Sequence, residues 1–191
     1  EEFYSQGVHK LLVIVFNAQH LERFSGEKLE KRPVMNIGDV QLSCHVILRD
    51  KDNNEIARRI TPRDSSRTPQ WEHQFDKWSL RECQEFEQME FVIKNETRIG
   101  KVNQDQFGSV VLSRDYISRR TFHPEKPKHP VLRMLPLAVI HSDGKVLPVE
   151  GKLSVAIAYY PVTSHAEHKN SKQVYHPLKE SAAAEYAKNV A

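Results

Sequence analysis

Short runs of hydrophobic residues recur along the chain and predict an all-β protein. Residues 11–16 form a continuous apolar run that is typical of a buried strand. In residues 41–48, Leu42, Cys44 and Val46 alternate with other residues, as in a half-buried strand. The same reasoning predicts further strands at residues 55–60, 71–75, 88–93, 108–112, 131–139 and 152–160.

The segments between these strands read mainly as turns and connectors. Residues 50–54 predict a hairpin turn, and residues 19–38 predict a long loop with at most a short helical turn. Residues 79–87 read as a charged connector, and Pro136 argues for an edge position or a bulge in its strand. The first clear helix is predicted only at residues 178–190. Seven or eight short strands in this arrangement indicate a β-sandwich or barrel.

Composition narrows the class of protein further. The chain has 191 residues, 39% of them hydrophobic and 28% charged, which suits one packed domain and excludes a disordered chain. No apolar run is long enough for a transmembrane helix. The net charge of +3 is too small for a dedicated nucleic-acid binder, so we expect no nucleic-acid partner. Cys44 and Cys83 cannot form a disulfide framework, and we expect both thiols to be reduced in the cytoplasm.

Four segments carry motifs in a fixed order. They are Lys10 to Leu21, which reads KLLVIVFNAQHL, then Gly38-Asp39 with Leu42 and Cys44, then Arg67 to Phe75, which reads RTPQWEHQF, and finally Arg98 to Gly108. Together they resemble the C2 domain, a β-sandwich family best known for calcium-dependent and phosphoinositide-dependent membrane docking. An unrelated eight-stranded sandwich with chance matches is the alternative.

The resemblance implies an eight-stranded antiparallel β-sandwich over residues 8–162. Residues 1–7 would be a leader, and residues 163–191 a C-terminal tail that is helical from about residue 178 and dispensable for folding. The strand at residues 151–160 is similar to the Gly-x-Leu strand of the family and comes last here, which points to the phospholipase-like topology. Because the chain begins Glu1-Glu2 without Met, we expect other domains in a longer parent protein.

The resemblance also implies a calcium site built from about five aspartates, and this chain retains only two of them. Asp39 and Asp105 match family positions, whereas Asn95 and Thr97 stand where a pair of aspartates would be. Calcium needs six to eight oxygen ligands, and nearby Lys94, Arg98 and Lys101 would repel it. We therefore expect a vestigial site with no bound metal and no cofactor. The alternative is that Glu22, Glu27, Glu30 or Glu96 rebuild it.

Basic residues in the same loops suggest direct binding to anionic lipids, since exposed bases are attracted to anionic headgroups. The predicted lipid-binding residues are Lys28, Lys31, Arg32, Lys94, Arg98 and Lys101 on two loops, and Arg58, Arg59 and Arg63 on and after a strand. Neighbouring residues of a strand point to opposite faces, so only one of Arg58 and Arg59 can lie on the same face as the other lipid-binding residues of that strand. The predicted membrane-insertion residues are Phe24, Leu29 and Ile99. Alternatively, the apolar residues pack the loop onto the sandwich and the basic runs are solvated surface.

These features predict a calcium-independent membrane-targeting module of a cytoplasmic, peripheral membrane protein. It would bind anionic phospholipids or phosphoinositides and recruit a larger protein to membranes in membrane traffic or secretion. A protein-interaction scaffold that does not bind lipid is the alternative, with an acidic protein as its partner. The chain has no Gly-rich phosphate loop, nucleophile elbow or HExxH motif, so we do not expect an enzyme.

Overall fold

The computed structural model describes residues 10–25, 29–32, 40–96, 105–121 and 131–160. Within these ranges the chain forms ten strands and two helices. In chain order they are β1 (Lys10–Gln19), β2 (Arg23–Ser25), β3 (Glu30–Arg32), β4 (Leu42–Arg49), β5 (Glu55–Ile60), β6 (Gln70–Phe75), α1 (Leu80–Glu85), β7 (Gln88–Asn95), β8 (Ser109–Ser113), α2 (Arg114–Thr121), β9 (Val131–Ile140) and β10 (Val146–Tyr160).

Eight strands follow the order β5-β4-β7-β8-β9-β10-β1-β6, and every neighbouring pair is antiparallel. β8 and β9 are joined by the single residue pair Ser109–Ala138, so the sheet divides there into two four-stranded layers. Val46 and Phe91 of the first layer share one buried cluster with Val13 and Val155 of the second. The inner faces of the layers thus pack on each other, which confirms the predicted antiparallel β-sandwich.

The start of β8 depends on a glycine. Gly108 has a φ of 120°, and a Cβ added there would lie 2.8 Å from the Cβ of Leu137 in β9. A side chain at this position would therefore clash with β9 as well as strain the backbone. The glycine allows the two layers to approach each other where β8 meets β9.

Two details of the second layer confirm expectations from the sequence. β1 is buried on both sides, because Val13 faces the main core while Leu12 and Ile14 belong to a separate buried cluster. Pro136 pairs with Lys152 beside a register shift in β10, and β9 meets β8 only at Ala138. The proline therefore lies on a nearly unpaired edge, where a missing N–H donor has little cost.

Three elements differ from the prediction. The loop expected at residues 19–38 contains the two-stranded hairpin of β2 and β3. The connector at residues 79–87 contains α1, whose N-terminus is fixed by a capping box between Ser79 and Glu82. α2 was also missed, because Ile117 is the one fully buried residue among those of its side chains that the structure describes, and it gives too little hydrophobic periodicity.

The predicted domain limits, residues 8 and 162, lie just outside the described residues. The sandwich is seen from Lys10 to Tyr160, and the predicted leader at 1–7 and tail at 163–191 lie outside the described residues. Neither of the described helices has the length and hydrophobicity required to cross a bilayer.

Candidate membrane-docking site

Basic residues from β4, β5 and β7 share the outer side of the first layer. Residues paired across antiparallel strands have side chains on the same face. Ser43 pairs with Lys94, and Ile47 pairs with Arg58, so Lys94 and Arg58 lie on one face although they are distant in the sequence. Arg49 belongs to the same surface through its ion pair with Glu90, and Arg63 through its charge interaction with Glu96. We define the basic face as this surface with its four basic residues, Arg49, Arg58, Arg63 and Lys94.

A buried histidine organises the middle of the basic face. His45 is 6% exposed, and its Nε2 lies 2.6 Å from Glu96 Oε1. Its Nδ1 lies 3.0 Å from Arg58 Nη1. Because a guanidinium can only donate, Nδ1 accepts this hydrogen bond and the ring proton is on Nε2, where it is donated to Glu96. The neutral imidazole therefore connects Arg58 to Glu96.

Acidic residues neutralise most of this surface. The guanidinium of Arg58 binds both carboxylate oxygens of Glu55, at 2.8 and 2.5 Å, and Arg49 forms a 3.0 Å ion pair with Glu90. With Glu96 included, the four bases face three acids, which leaves a local charge of +1 when His45 is neutral. Lys94 and Arg63 are the exposed bases of this face. An anionic ligand would meet these two side chains first.

The same contacts shift the pKa values of the network. Burial lowers the pKa of His45, against the opposing effect of its hydrogen bond to Glu96. The hydrogen bond from His45 lowers the pKa of Glu96, and the hydrogen bond from Arg58 lowers the pKa of Glu55. At neutral pH the network therefore contains a neutral histidine between charged residues.

Acidification should destabilise the domain through His45. Since the folded state binds this proton less readily than the unfolded chain, whose histidine titrates near 6.5, the free energy of unfolding should fall as pH drops from 7.5 to 5.5. His73 acts in the same direction, because burial lowers its pKa too. Urea unfolding at several pH values in this range gives the free energy of unfolding as a function of pH. The slope of this plot should be smaller for His45→Gln than for the unmodified domain, and smallest for the double variant with His73→Gln. An unchanged slope in the double variant would contradict this account.

Arg59 is separated from the basic face, as strand geometry predicts. Its guanidinium lies 4.8 Å from the ring centre of Trp78, within the range of a cation–π contact. It also donates to both carboxylate oxygens of Glu82, at 3.2 and 3.3 Å. Arg59 thus joins β5 to the N-terminal turn of α1, which gives it a structural role.

A second group of charges joins β2 to the segment before β8. Arg23 donates from Nε to Asp105 Oδ2 over 2.8 Å, and its Nη2 lies at the same distance from that oxygen. The backbones of Phe24 and Gln106 exchange two hydrogen bonds, of 2.9 and 2.8 Å. The carboxylate that matches a calcium ligand of the family is therefore bound by an arginine.

Two of the acidic residues proposed to rebuild a calcium site, Glu22 and Glu96, have protein partners, and Glu27 lies outside the described residues. Glu22 forms an ion pair with Lys31 and accepts a hydrogen bond from the backbone of Glu150. Glu96 is occupied by His45 and by Ser43, whose hydroxyl donates to it over 3.0 Å. Within the described ranges, no three His, Cys, Asp or Glu side chains are grouped so that they could hold a metal ion.

The structure changes the expected set of insertion residues. Leu29 is 9% exposed, and this burial does not suit a side chain that inserts into a membrane. Phe24 is half-buried beside Gln106, and Lys31 is exposed. Arg32 lies in β3, but its side chain is not among those described. The other loop residues fall outside the described residues: Lys28, Asp39, Arg98, Ile99 and Lys101.

Sequence reasoning missed several residues of this site. The alternation in residues 41–48 places Ser43 and His45 opposite the core side chains, which was the available signal for an outward polar pair. Their partner Glu96 was considered only as a calcium ligand. Arg23 had no motif, because its partner Asp105 is 82 positions away in the sequence.

Comparisons with solved structures identify the fold. A C2 domain of plant extended synaptotagmin 1 superposes with a TM-score of 0.51 at 21% identity, covering 82% of this chain and 98% of that one. Human GIVD cytosolic phospholipase A2 gives 0.47 at 15% identity, covering 81% of this chain and 17% of that one. A chain of extended synaptotagmin 2 with its SMP and two C2 domains gives 0.43 at 9% identity, covering 82% of this chain and 29% of that one.

The first of these matches shows that this chain has the C2 fold, in a divergent form. No protein-family model and no curated protein matches the sequence.

Proposed function

We propose that this domain is a calcium-independent C2 module that binds anionic phospholipids or phosphoinositides. The observation that carries the proposal is the meeting of Lys94, Arg58 and Arg63 on one outer face. Lys94 comes from the end of β7, whereas Arg58 and Arg63 come from β5 and the segment after it. In this role the domain recruits a larger cytoplasmic protein to the surface of membranes in traffic or secretion, and it carries out no catalytic step.

The charge balance of the basic face supports a weak and salt-sensitive attraction. Each base near an anionic surface contributes about 1 kcal/mol, and this attraction is screened within about 8 Å at physiological ionic strength. Lys94 and Arg63 can approach headgroups as they stand, whereas Arg58 must exchange Glu55 for a phosphate. The loop residues Lys28, Arg98 and Lys101 would add to the attraction if they reach the same membrane.

The proposed calcium independence rests on the ion pair of Arg23 and Asp105. The arginine supplies positive charge to the carboxylate that calcium would otherwise neutralise. A calcium ion would have to displace this guanidinium and would still lack most of its oxygen ligands. In this proposal the β2–β3 hairpin is held to the segment before β8 by this ion pair together with the backbone hydrogen bonds of Phe24 and Gln106, and no metal is needed to bridge them.

Calcium should therefore leave the domain unchanged. A ligand that binds only the folded state raises the melting temperature, so a domain without a site should show no rise. Thermal unfolding in millimolar calcium should match that in chelator, and calorimetry should give no binding heat. Arg23→Gln should also show no rise, because releasing Asp105 does not restore the missing ligands. A shift of several degrees in the unmodified domain would refute the proposal.

A protein-interaction scaffold is the second candidate, and the near-neutral basic face favours it. If Glu55 and Glu90 hold their arginine partners too firmly, lipid phosphate cannot compete. Co-sedimentation with vesicles, with and without phosphatidylserine and phosphoinositide, separates the candidates. Binding that requires the anionic lipid and persists in chelator supports the first function. An absence of binding to every vesicle supports the scaffold.

A further inference from the structure

Much of the outer side of the second layer is apolar, although Lys152 and Ser154 of β10 and Gln74 of β6 are polar residues on the same side. Such an apolar area is unusual for a sheet face in contact with water. Along β9 the side chains of Leu135, Leu137 and Val139 face the core and are buried. The alternate residues, which face outward, are apolar as well. We define the outer apolar face by Leu132, Met134, Pro136, Ala138 and Ile140 of β9, Val146, Pro148, Ala156 and Ala158 of β10, and Leu12, Ile14 and Phe16 of β1.

Exposure differs sharply across this face. Met134, Ile140 and Val146 are 52%, 47% and 61% exposed, and they account for three of the six exposed large hydrophobic side chains in the described part of the chain. The side chains of Leu12 and Ile14 also face outward on this sheet, yet each is only 1% exposed. A side chain that faces away from the core reaches such burial only when other groups cover it. The face is therefore covered over β1 and open over β9.

The position of the basic face argues against a membrane as the cover. The basic face lies on the outer side of β4, β5 and β7, and the outer apolar face lies on the opposite side of the sandwich. One flat bilayer cannot contact both.

The outward side of β10 also contributes Ala156 and Ala158, whose small side chains allow the backbone of a helix to approach closely.

The chain's own C-terminal segment has the position and pattern to supply such a helix. β10 ends at Tyr160, opposite Lys10 of β1, so the point from which the C-terminal segment starts lies beside this face. Leu178, Ala182, Tyr186 and Val190 recur every fourth residue and would form one apolar stripe on a helix. A helix of about 13 residues is ~20 Å long, and residues 161–177 can extend over as much as ~56 Å. The segment can therefore reach the face and lie along it.

We propose that residues 178–190 dock as an amphipathic helix on the outer apolar face. The docked stripe covers Leu12, Ile14 and Phe16 and removes part of the exposed surface of β9 from water. The exclusion of a membrane as the cover rests on the proposed function, whereas the contact itself needs no lipid, so cross-linking and vesicle binding test the two proposals separately. It also explains why β1 carries large apolar side chains on both of its faces.

Cysteine cross-linking in the full chain tests the contact. The native thiols of Cys44 and Cys83 are 0% and 1% exposed, so a flexible bis-maleimide should react only with introduced cysteines. Ala182→Cys combined with Met134→Cys should form an intramolecular cross-link at least about tenfold faster than Ala182→Cys combined with Val111→Cys. Val111 is the matched control, because it is also 52% exposed but lies in the first layer, where it pairs with Glu90.

Equal rates in the two pairs would overturn the proposal, as would the absence of a cross-link in both. Cross-linking mainly between molecules would make a second copy of the chain the occupant, which also overturns it.

A pair of tail variants gives an independent test. Leu178→Asp with Tyr186→Asp should abolish the cross-link to position 134 and speed amide exchange in β1, whereas Ser181→Asp with Ala184→Asp should do neither. Vesicle binding by all of these variants should equal that of the unmodified chain.

Discussion

Replacing Trp71 with alanine should remove about 3–5 kcal/mol from the free energy of unfolding, the range for deleting a large buried aromatic side chain. Trp71 is 8% exposed and lies in the cluster that joins the two layers. Its indole Nε1–H donates to the carbonyl of Leu42 over 3.2 Å, which ties β6 to the start of β4. Alanine would leave a cavity and remove this hydrogen bond. Urea or thermal unfolding measures the loss.

Two further variants identify the cause. Trp71→Phe keeps an aromatic ring and loses the hydrogen bond, so it should cost clearly less than the alanine variant. Val111→Ala alters a side chain that is 52% exposed and should change stability by less than about 0.5 kcal/mol. A loss below about 1 kcal/mol for Trp71→Ala would mean that the indole does not support the core as described.

The sandwich was predictable from the sequence because its strands carry strong local signals. The apolar run of β1 and the alternation of Trp71, His73 and Phe75 in β6 depend only on neighbouring residues. The pairing of strands is not local, but the motif order of the C2 family supplied it. The helix α1 could also have been recognised, since Ser79 and Glu82 form a known capping pattern.

The candidate site was less predictable, because its contacts join residues that are far apart in sequence. Lys94 and Arg58 were assigned to separate patches, and only the register of β4 with its two neighbours places them on one face. The neutralising partners Glu55 and Glu90 had no visible role until their distances to Arg58 and Arg49 were known. A count of basic residues therefore overstates the positive charge that the face presents.

Loop residues show a related limit. An apolar side chain between charged residues has the same local pattern whether it inserts into a membrane or packs beneath its own loop. Leu29 was predicted to insert, but it is 9% exposed and has a φ of 48° at the turn between β2 and β3. Burial depends on how the hairpin lies against the sandwich. That arrangement depends on long-range contacts such as the ion pair of Arg23 and Asp105 and the backbone hydrogen bonds of Phe24 and Gln106, which no local motif connects.

Reversing the two exposed bases of the basic face should remove most binding to anionic vesicles. Lys94→Glu with Arg63→Glu changes the local charge by four units, two for each residue. At about 1 kcal/mol for each lost attraction, with repulsion added, vesicle affinity should fall at least about tenfold. Both side chains are exposed, so the melting temperature should change little. Arg58 is left intact, because its loss would leave Glu55 and His45 without their shared partner.

A charge-matched control distinguishes a specific face from overall charge. Lys51→Glu with Lys77→Glu makes the same four-unit change at exposed residues in the β4–β5 turn and after β6. The control variant should still bind vesicles of phosphatidylcholine with phosphatidylserine and a phosphoinositide. The variant with Lys94→Glu and Arg63→Glu should no longer bind them. Equal losses would show that only net charge matters. If Arg98→Glu with Lys101→Glu abolishes binding and Lys94→Glu with Arg63→Glu does not, the loops dock and the basic face does not. If no variant differs from a wild type that binds, electrostatic docking is wrong, since exposed bases that contact headgroups cannot be reversed without loss.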